Sequence, residues 1–371
     1  MEKKQMLILI VTLSSCFVIF VIILFFVCIC MCKRRNKDSI KNNNNNSKSW
    51  DKEANHESGV EEMDMKGEFI KFQGGEDLTC FDILDAPGEV IGKSSFGTLY
   101  RANLLSDSVL LLRFLRPACT IGKLQDVMHV VQLLGSIRHP NLVPLCGFYS
   151  GPRGEKLLVH PFYRRGNLAQ FIRDENGDSH IWEVIYKISA GIVRGLEFLH
   201  TGLQRPIIHG NLKSKNILLG RNHQPSISDF GLHLLLNSTA AQEMLEDAAV
   251  EGYKAPELTK LKESNTGSDI YNLGVILLEL ITGKEPINGK ANPDQDFYLP
   301  TSIRNAIMDK RMSDLYHPDV LEVGIGGSSS VNEDIVIKYV QLALACCSPL
   351  PSLRPDIKQI CKRLDEIGPK S

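Results

Sequence analysis

Apolar and polar positions divide the chain into three regimes. From Met6 to Cys32 no residue is charged, and Leu, Ile, Val and Phe dominate. At 1.5 Å per residue, about 27 residues make a helix of ~40 Å, longer than the ~30 Å hydrocarbon core of a bilayer. The stretch 6–32 therefore predicts a transmembrane helix. A cleaved signal peptide has an apolar core of only about 7 to 15 residues and ends at a small-residue cleavage site, which is lacking here. Residues 33–67 reverse the pattern: they are polar, carry the run Asn42 to Asn46, and hold too few apolar residues to offset the entropy of ordering. They predict a disordered juxtamembrane linker.

From Glu68 onward, strand-like and helix-like patterns alternate. Glu89 to Ala102 sets short apolar runs on either side of a glycine-containing turn, as a hairpin would, and Val109 to Leu115 predicts a further strand. Leu124, Val127, Val131 and Leu134 recur at helical spacing, as do Ile185, Ile188, Ile192, Leu196 and Leu199. Ile270 to Ile281 is so apolar that its helix should be buried. The front of this part is strand-rich and the back helical.

Charge adds orientation. Lys33, Arg34, Arg35 and Lys37 follow the apolar stretch while only Lys3 and Lys4 precede it, so the positive-inside bias places residues 1–5 outside and the folded part in the cytosol. A length of 371 residues allows two to three domains and a sizeable core. With 42 basic against 43 acidic residues the net charge is -1, which argues against bulk nucleic-acid binding. With the folded part in the cytosol the ten cysteines should be thiols, and no paired Cys-x-x-Cys spacing points to zinc. Cys28, Cys30 and Cys32 at the inner edge of the span read equally as palmitoylation sites or as small apolar membrane residues.

Seven motifs then occur in a fixed order: Gly92-x-Ser94-x-x-Gly97, Arg138-His139-Pro140-Asn141, the loop from His209 to Leu219, Asp229-Phe230-Gly231, Ala255-Pro256-Glu257, Ser268-Asp269-Ile270-Tyr271, and Ser352-Leu353-Arg354-Pro355. Each alone is weak, but the ordered set is specific. Over about 68–367 the chain resembles a protein kinase. The stretches Phe72 to Leu78 and Gly283 to Pro286, behind a membrane span, are similar to plant leucine-rich-repeat receptor-like kinases, here without the repeat ectodomain. The resemblance implies an α+β, bilobal fold behind a single transmembrane helix at the plasma membrane. A β-rich N-lobe would span 68–159, a hinge 160–163 and a helical C-lobe 164–371, with ATP and Mg²⁺ as cofactors.

By the same resemblance, Asn211 stands where the family has the Asp that takes the substrate hydroxyl proton. An amide cannot take that proton, and a general base is typically worth ~10²- to 10⁴-fold. Gly210 replaces the Arg that would partner a phosphate on the activation segment. The strand Lys that pairs with the α- and β-phosphates becomes Arg113, whose planar fork will not occupy the same spot. Its helix Glu becomes Val130, with Asp126 the nearest acid. Other parts are kept: Asn216 and Asp229 would hold Mg²⁺, Lys213 would reach a terminal phosphate, and Gly92, Ser94 and Gly97 would form the glycine loop. Pro161 and Tyr163 would offer an adenine their carbonyl and N–H. Asp269 should hydrogen-bond the catalytic-loop backbone and Glu257 should pair with Arg354. The expected protein is a pseudokinase acting as scaffold or allosteric partner of other receptor-like kinases or their substrates, with weak, metal-dependent ATP binding. The alternative is a weakly active Mg-ATP-dependent Ser/Thr kinase.

Overall fold

The structure is a computed structural model. It describes residues 67–369 except 107, 123, 175–177, 262, 289–296 and 322–330. The expected outer segment, transmembrane helix and nearly all of the linker lie outside the described residues. Among the described residues no helix is long and apolar enough to cross a membrane.

The strand-rich front folds as one antiparallel sheet: β1 (Glu68–Lys71), β2 (Gly88–Lys93), β3 (Gly97–Asn103), β4 (Val109–Leu115), β5 (Gly147–Ser150) and β6 (Lys156–Pro161) lie in the order β1-β5-β6-β4-β3-β2. The predicted hairpin is β2 and β3, with a bulge where the register shifts between Val90 and Gly92. The strand expected over Val109 to Leu115 is β4, and Leu110, Leu111, Leu112 and Leu115 are buried. Pairing runs past the expected lobe boundary, because Pro161 still faces Leu110 at the end of β6. A proline is tolerated there, since no further ladder bond needs its missing N–H. A short helix, α1 (Cys80–Leu84), precedes β2, and α2 (Leu124–Ser136) packs Val127, Val131 and Leu134 inward, as their spacing predicts, while Leu124 at its first position is exposed.

The back half is helical. It comprises α3 (Leu168–Ile172), α4 (Trp182–Thr201), α5 (Ser238–Val250), α6 (Thr266–Thr282), α7 (Leu299–Met308), α8 (Glu333–Cys346) and α9 (Ile357–Ile367), with a two-stranded ribbon of β7 (Ile217–Leu219) and β8 (Pro225–Ile227). Asn265 caps α6 reciprocally with Ser268, and every residue from Ser268 to Thr282 is buried, as a helix apolar all round must be. The lobes are thus the expected pair, a β-sheet front and a helical back, and the site lies where they meet.

Candidate active-site cleft

A cleft of about 1370 Å³ opens between the sheet and the helical half. It is lined by Gly92, Ser94, Gly97 and Arg113 from the sheet side, and by Asn211, Lys213, Asn216 and Asp229 from the other. The structure therefore gathers eight of the ten expected site residues around one space. Pro161 and Tyr163 do not line it. Pro161 is the last residue of β6, opposite Leu110, and Tyr163 is partly buried with its hydroxyl near Ser226.

On the sheet side, the loop between β2 and β3 is closed on itself. The Ser94 N–H donates to the Gly97 carbonyl at 2.9 Å, and the Ser94 hydroxyl reaches the same oxygen at 3.3 Å. Neither donor is left for a phosphate. Gly97 is required by the sheet as well, because a Cβ there would lie 2.2 Å from the Phe114 carbonyl oxygen of β4. Val130 faces the core from α2 as a partly buried apolar residue, and Asp126 is exposed, so α2 offers Arg113 no acid.

Arg113 finds its carboxylate elsewhere. Its Nη2 donates to Asp229 Oδ2, and the two side chains are only 11% and 10% exposed. Asp229 is held there with φ of 61°, a left-handed conformation that a non-glycine residue keeps only when its surroundings impose it. Asn216 donates its amide N–H to the Asn211 carbonyl at 2.9 Å, leaving its oxygen as the atom it could offer a cation. As the residues stand they do not fit a divalent metal, because the carboxylate that would lead the coordination already carries a guanidinium.

The loop carrying Asn211 is anchored from below. Asp269 of α6 accepts from the backbone N–H groups of His209 at 2.7 Å and Gly210 at 3.0 Å, as expected, and from His200 Nε2 at 2.9 Å. Gly210 has φ of 79°, and a Cβ there would sit 2.6 Å from His233 Nδ1. Position 210 thus combines a left-handed backbone with close packing against His233. Asn211 is buried, and its Oδ1 has no hydrogen-bond partner.

The family model for protein tyrosine and serine/threonine kinases matches residues 86–364. The chain belongs to the protein kinase family. The probable leucine-rich repeat receptor-like protein kinase IMK3 of Arabidopsis thaliana is 38% identical over 325 residues, covering 87% of this chain and 39% of that protein. Other Arabidopsis relatives, at 30 to 34% identity, are probable inactive receptor kinases. The chain spans less than half the length of the curated relatives it matches. Among solved structures, the maize SIRK1 kinase domain bound to AMP-PNP superposes with a TM-score of 0.71 at 28% identity, over 81% of this chain and 99% of that one. The pseudokinase domain of BIR2, an immune regulator of the RLK/Pelle family, gives 0.62 at 29%, over 75% and 80%.

Within this kinase domain the activation segment, which follows Asp229-Phe230-Gly231, holds residues that motif reading passes over. It folds as α5, whose buried face is Ala240, Met244, Leu245 and Ala248. Asn237 caps that helix and ties it to the connection after β4, through N–H bonds to the Cys119 carbonyl at 2.9 Å and the Ala118 carbonyl at 2.8 Å. Met244, Asp247 and Val250 line the cleft, and the Ser95 hydroxyl of the glycine loop reaches Asp247 at 3.4 Å. At the end of the helix Glu251 grips Lys213 at 3.1 Å and Lys215 at 3.2 Å. A signal was present: an alanine-rich stretch behind an Asn cap favours a helix by propensity alone.

Deeper in the kinase cleft, Glu279 of α6 is fully buried and accepts from the Tyr253 hydroxyl, from Ser214 Oγ at 3.1 Å and from Arg173 at 3.2 Å. Burial pushes its carboxyl up to about 7, against those hydrogen bonds, which hold it down. The folded state then binds a proton that the unfolded chain releases nearer the ordinary carboxylate range, so stability falls as pH rises through roughly 4.5 to 7, by at most ~1.4 kcal/mol per unit. Denaturant unfolding at pH 5 and pH 7.5 should show a loss in the wild type that Glu279→Gln reduces. An equal loss in both proteins would show that this carboxyl does not titrate in that window.

Proposed function

We propose that this protein is a membrane-anchored receptor-like pseudokinase that serves as scaffold or allosteric partner to other receptor-like kinases or their substrates. The observation that carries the reading is Asn211, an amide in the cleft at the place of the proton acceptor. Phosphoryl transfer depends mostly on positioning and charge neutralisation. Here the groups that would supply these already hold partners: Ser94 holds Gly97, Arg113 holds Asp229, and Lys213 holds Glu251. The AMP-PNP in the maize neighbour makes ATP a reasonable ligand for this fold. With its phosphate-facing donors occupied, this cleft binds it weakly. The inactive relatives and the BIR2 neighbour favour the same reading. Anchoring rests on the uncharged stretch from Met6 to Cys32 and the basic residues behind it.

One preparation tests both halves. Full chain with a C-terminal tag is expressed in cells, treated from outside with protease, then solubilised and assayed for phosphate incorporation in Mg²⁺ and in Mn²⁺ beside an Asp229→Ala control. The tag should survive, and incorporation should equal the control. Loss of the tag would reverse the topology, and transfer abolished by the control would establish the weak-kinase alternative.

A further inference from the structure

We propose that Arg113 is a built-in replacement for the divalent metal of this cleft: its guanidinium on Asp229 excludes Mg²⁺, and removing the guanidinium uncovers a metal site. The inference extends the non-catalytic reading but rests on its own geometry. A carboxylate such as Asp229 and an amide oxygen such as that of Asn216 are the hard donors that Mg²⁺ and Mn²⁺ take. Both residues border the same cleft, and Asn216 is oriented by its bond to the Asn211 carbonyl at 2.9 Å. The donor set is therefore present while the place at its centre is taken. Arg113 comes from β4 with its side chain 11% exposed and meets Asp229 Oδ2 directly. A divalent ion on the same carboxylate would face that guanidinium at contact range with water largely shut out, where like charges are least screened.

Nothing draws Arg113 away. Position 130 of α2 is an apolar valine, Asp126 is exposed, and the Arg113 Nε has no hydrogen-bond partner, so Asp229 is the anion that holds the side chain. Asp229 stands on a left-handed backbone, φ 61°, with its carboxylate on the Arg113 guanidinium. The sequence-based expectation of metal-dependent nucleotide binding is thereby replaced. In this arrangement the positive charge beside the phosphates comes from the chain, and weak ATP binding should not need a metal.

The test is Mn²⁺ titration of the detergent-solubilised full chain, read by the electron paramagnetic resonance of free Mn²⁺. Wild type should remove no stoichiometric Mn²⁺ from solution. Arg113→Met and Arg113→Gln should each bind one Mn²⁺ per chain at least tenfold more tightly than wild type, and adding Asp229→Asn should abolish the gain. One Mn²⁺ bound by wild type and lost in Asp229→Asn would overturn the proposal. So would a folded Arg113 variant, shown folded by its thermal transition, that gains nothing. If neither variant folds, the wild-type titration beside Asp229→Asn still decides. The readout is independent of phosphate transfer: a chain that takes Mn²⁺ yet transfers nothing defeats this inference and leaves the pseudokinase reading intact.

Discussion

Asp269→Ala should cost about 4 to 6 kcal/mol, comparable to the whole stability of many domains. The side chain is completely buried, and it is the shared acceptor of two backbone N–H groups and an imidazole. Hydrogen bonds to a charged group are worth about 1.5 to 3 kcal/mol each, and a buried donor left without a partner adds its desolvation cost. Alanine removes all three acceptor contacts at a position that is completely buried. Asp269→Asn keeps the volume and one accepting oxygen, so it should lose clearly less. Urea unfolding of the two variants beside wild type checks the order. An alanine variant as stable as the asparagine one would mean that the loop from His209 to Asn211 is held by something other than this carboxylate.

Arg354→Met should cost about 3 to 5 kcal/mol, the range for breaking one side of a buried ion pair. Arg354 meets Glu257 with two parallel bonds of 2.7 Å, and it also donates to the Ser348 carbonyl at 2.8 Å and the Gly267 carbonyl at 2.7 Å. Its guanidinium lies 5.1 Å over the Tyr271 ring. Burial would raise the Glu257 carboxyl, but the bonds from Arg354 prevail and hold it below the ordinary range. Its contribution is therefore present above the unfolded carboxylate pKa and lost as pH falls through the lower folded value. The double variant Arg354→Met, Glu257→Gln should recover part of the loss, because no uncompensated carboxylate remains. Strictly additive losses in this cycle would show that the two side chains are not coupled.

Periodicity and motif order made most of the architecture legible. The spacing of Val127, Val131 and Leu134, and the unbroken apolar run at Ile270, report directly on burial, because a side chain's face is set by backbone geometry alone. The Asp269 and Arg354 contacts were legible for a different reason, since the motifs around them are tied to one topology. What the sequence could not show was choice among partners. Arg113 at the strand position announces a charge but not that Asp229 would be the anion it meets where α2 presents Val130. Glu251 carries no motif, and its hold on Lys213 exists only because α5 ends beside the catalytic loop. Pro161 and Tyr163 were placed where the lobes join by resemblance alone, and Pro161 stands there as the last residue of β6, opposite Leu110.

The fit of Gly210 against His233 has an evolutionary consequence. Placing Arg at position 210 would put a side chain on a backbone with φ of 79° and drive its Cβ to within 2.6 Å of the His233 ring. That step is therefore uphill unless position 233 changes first to something smaller. The constraint runs one way: a lineage carrying this pair would gain a larger residue at position 210 only along a path on which His233 gives way before Gly210 does.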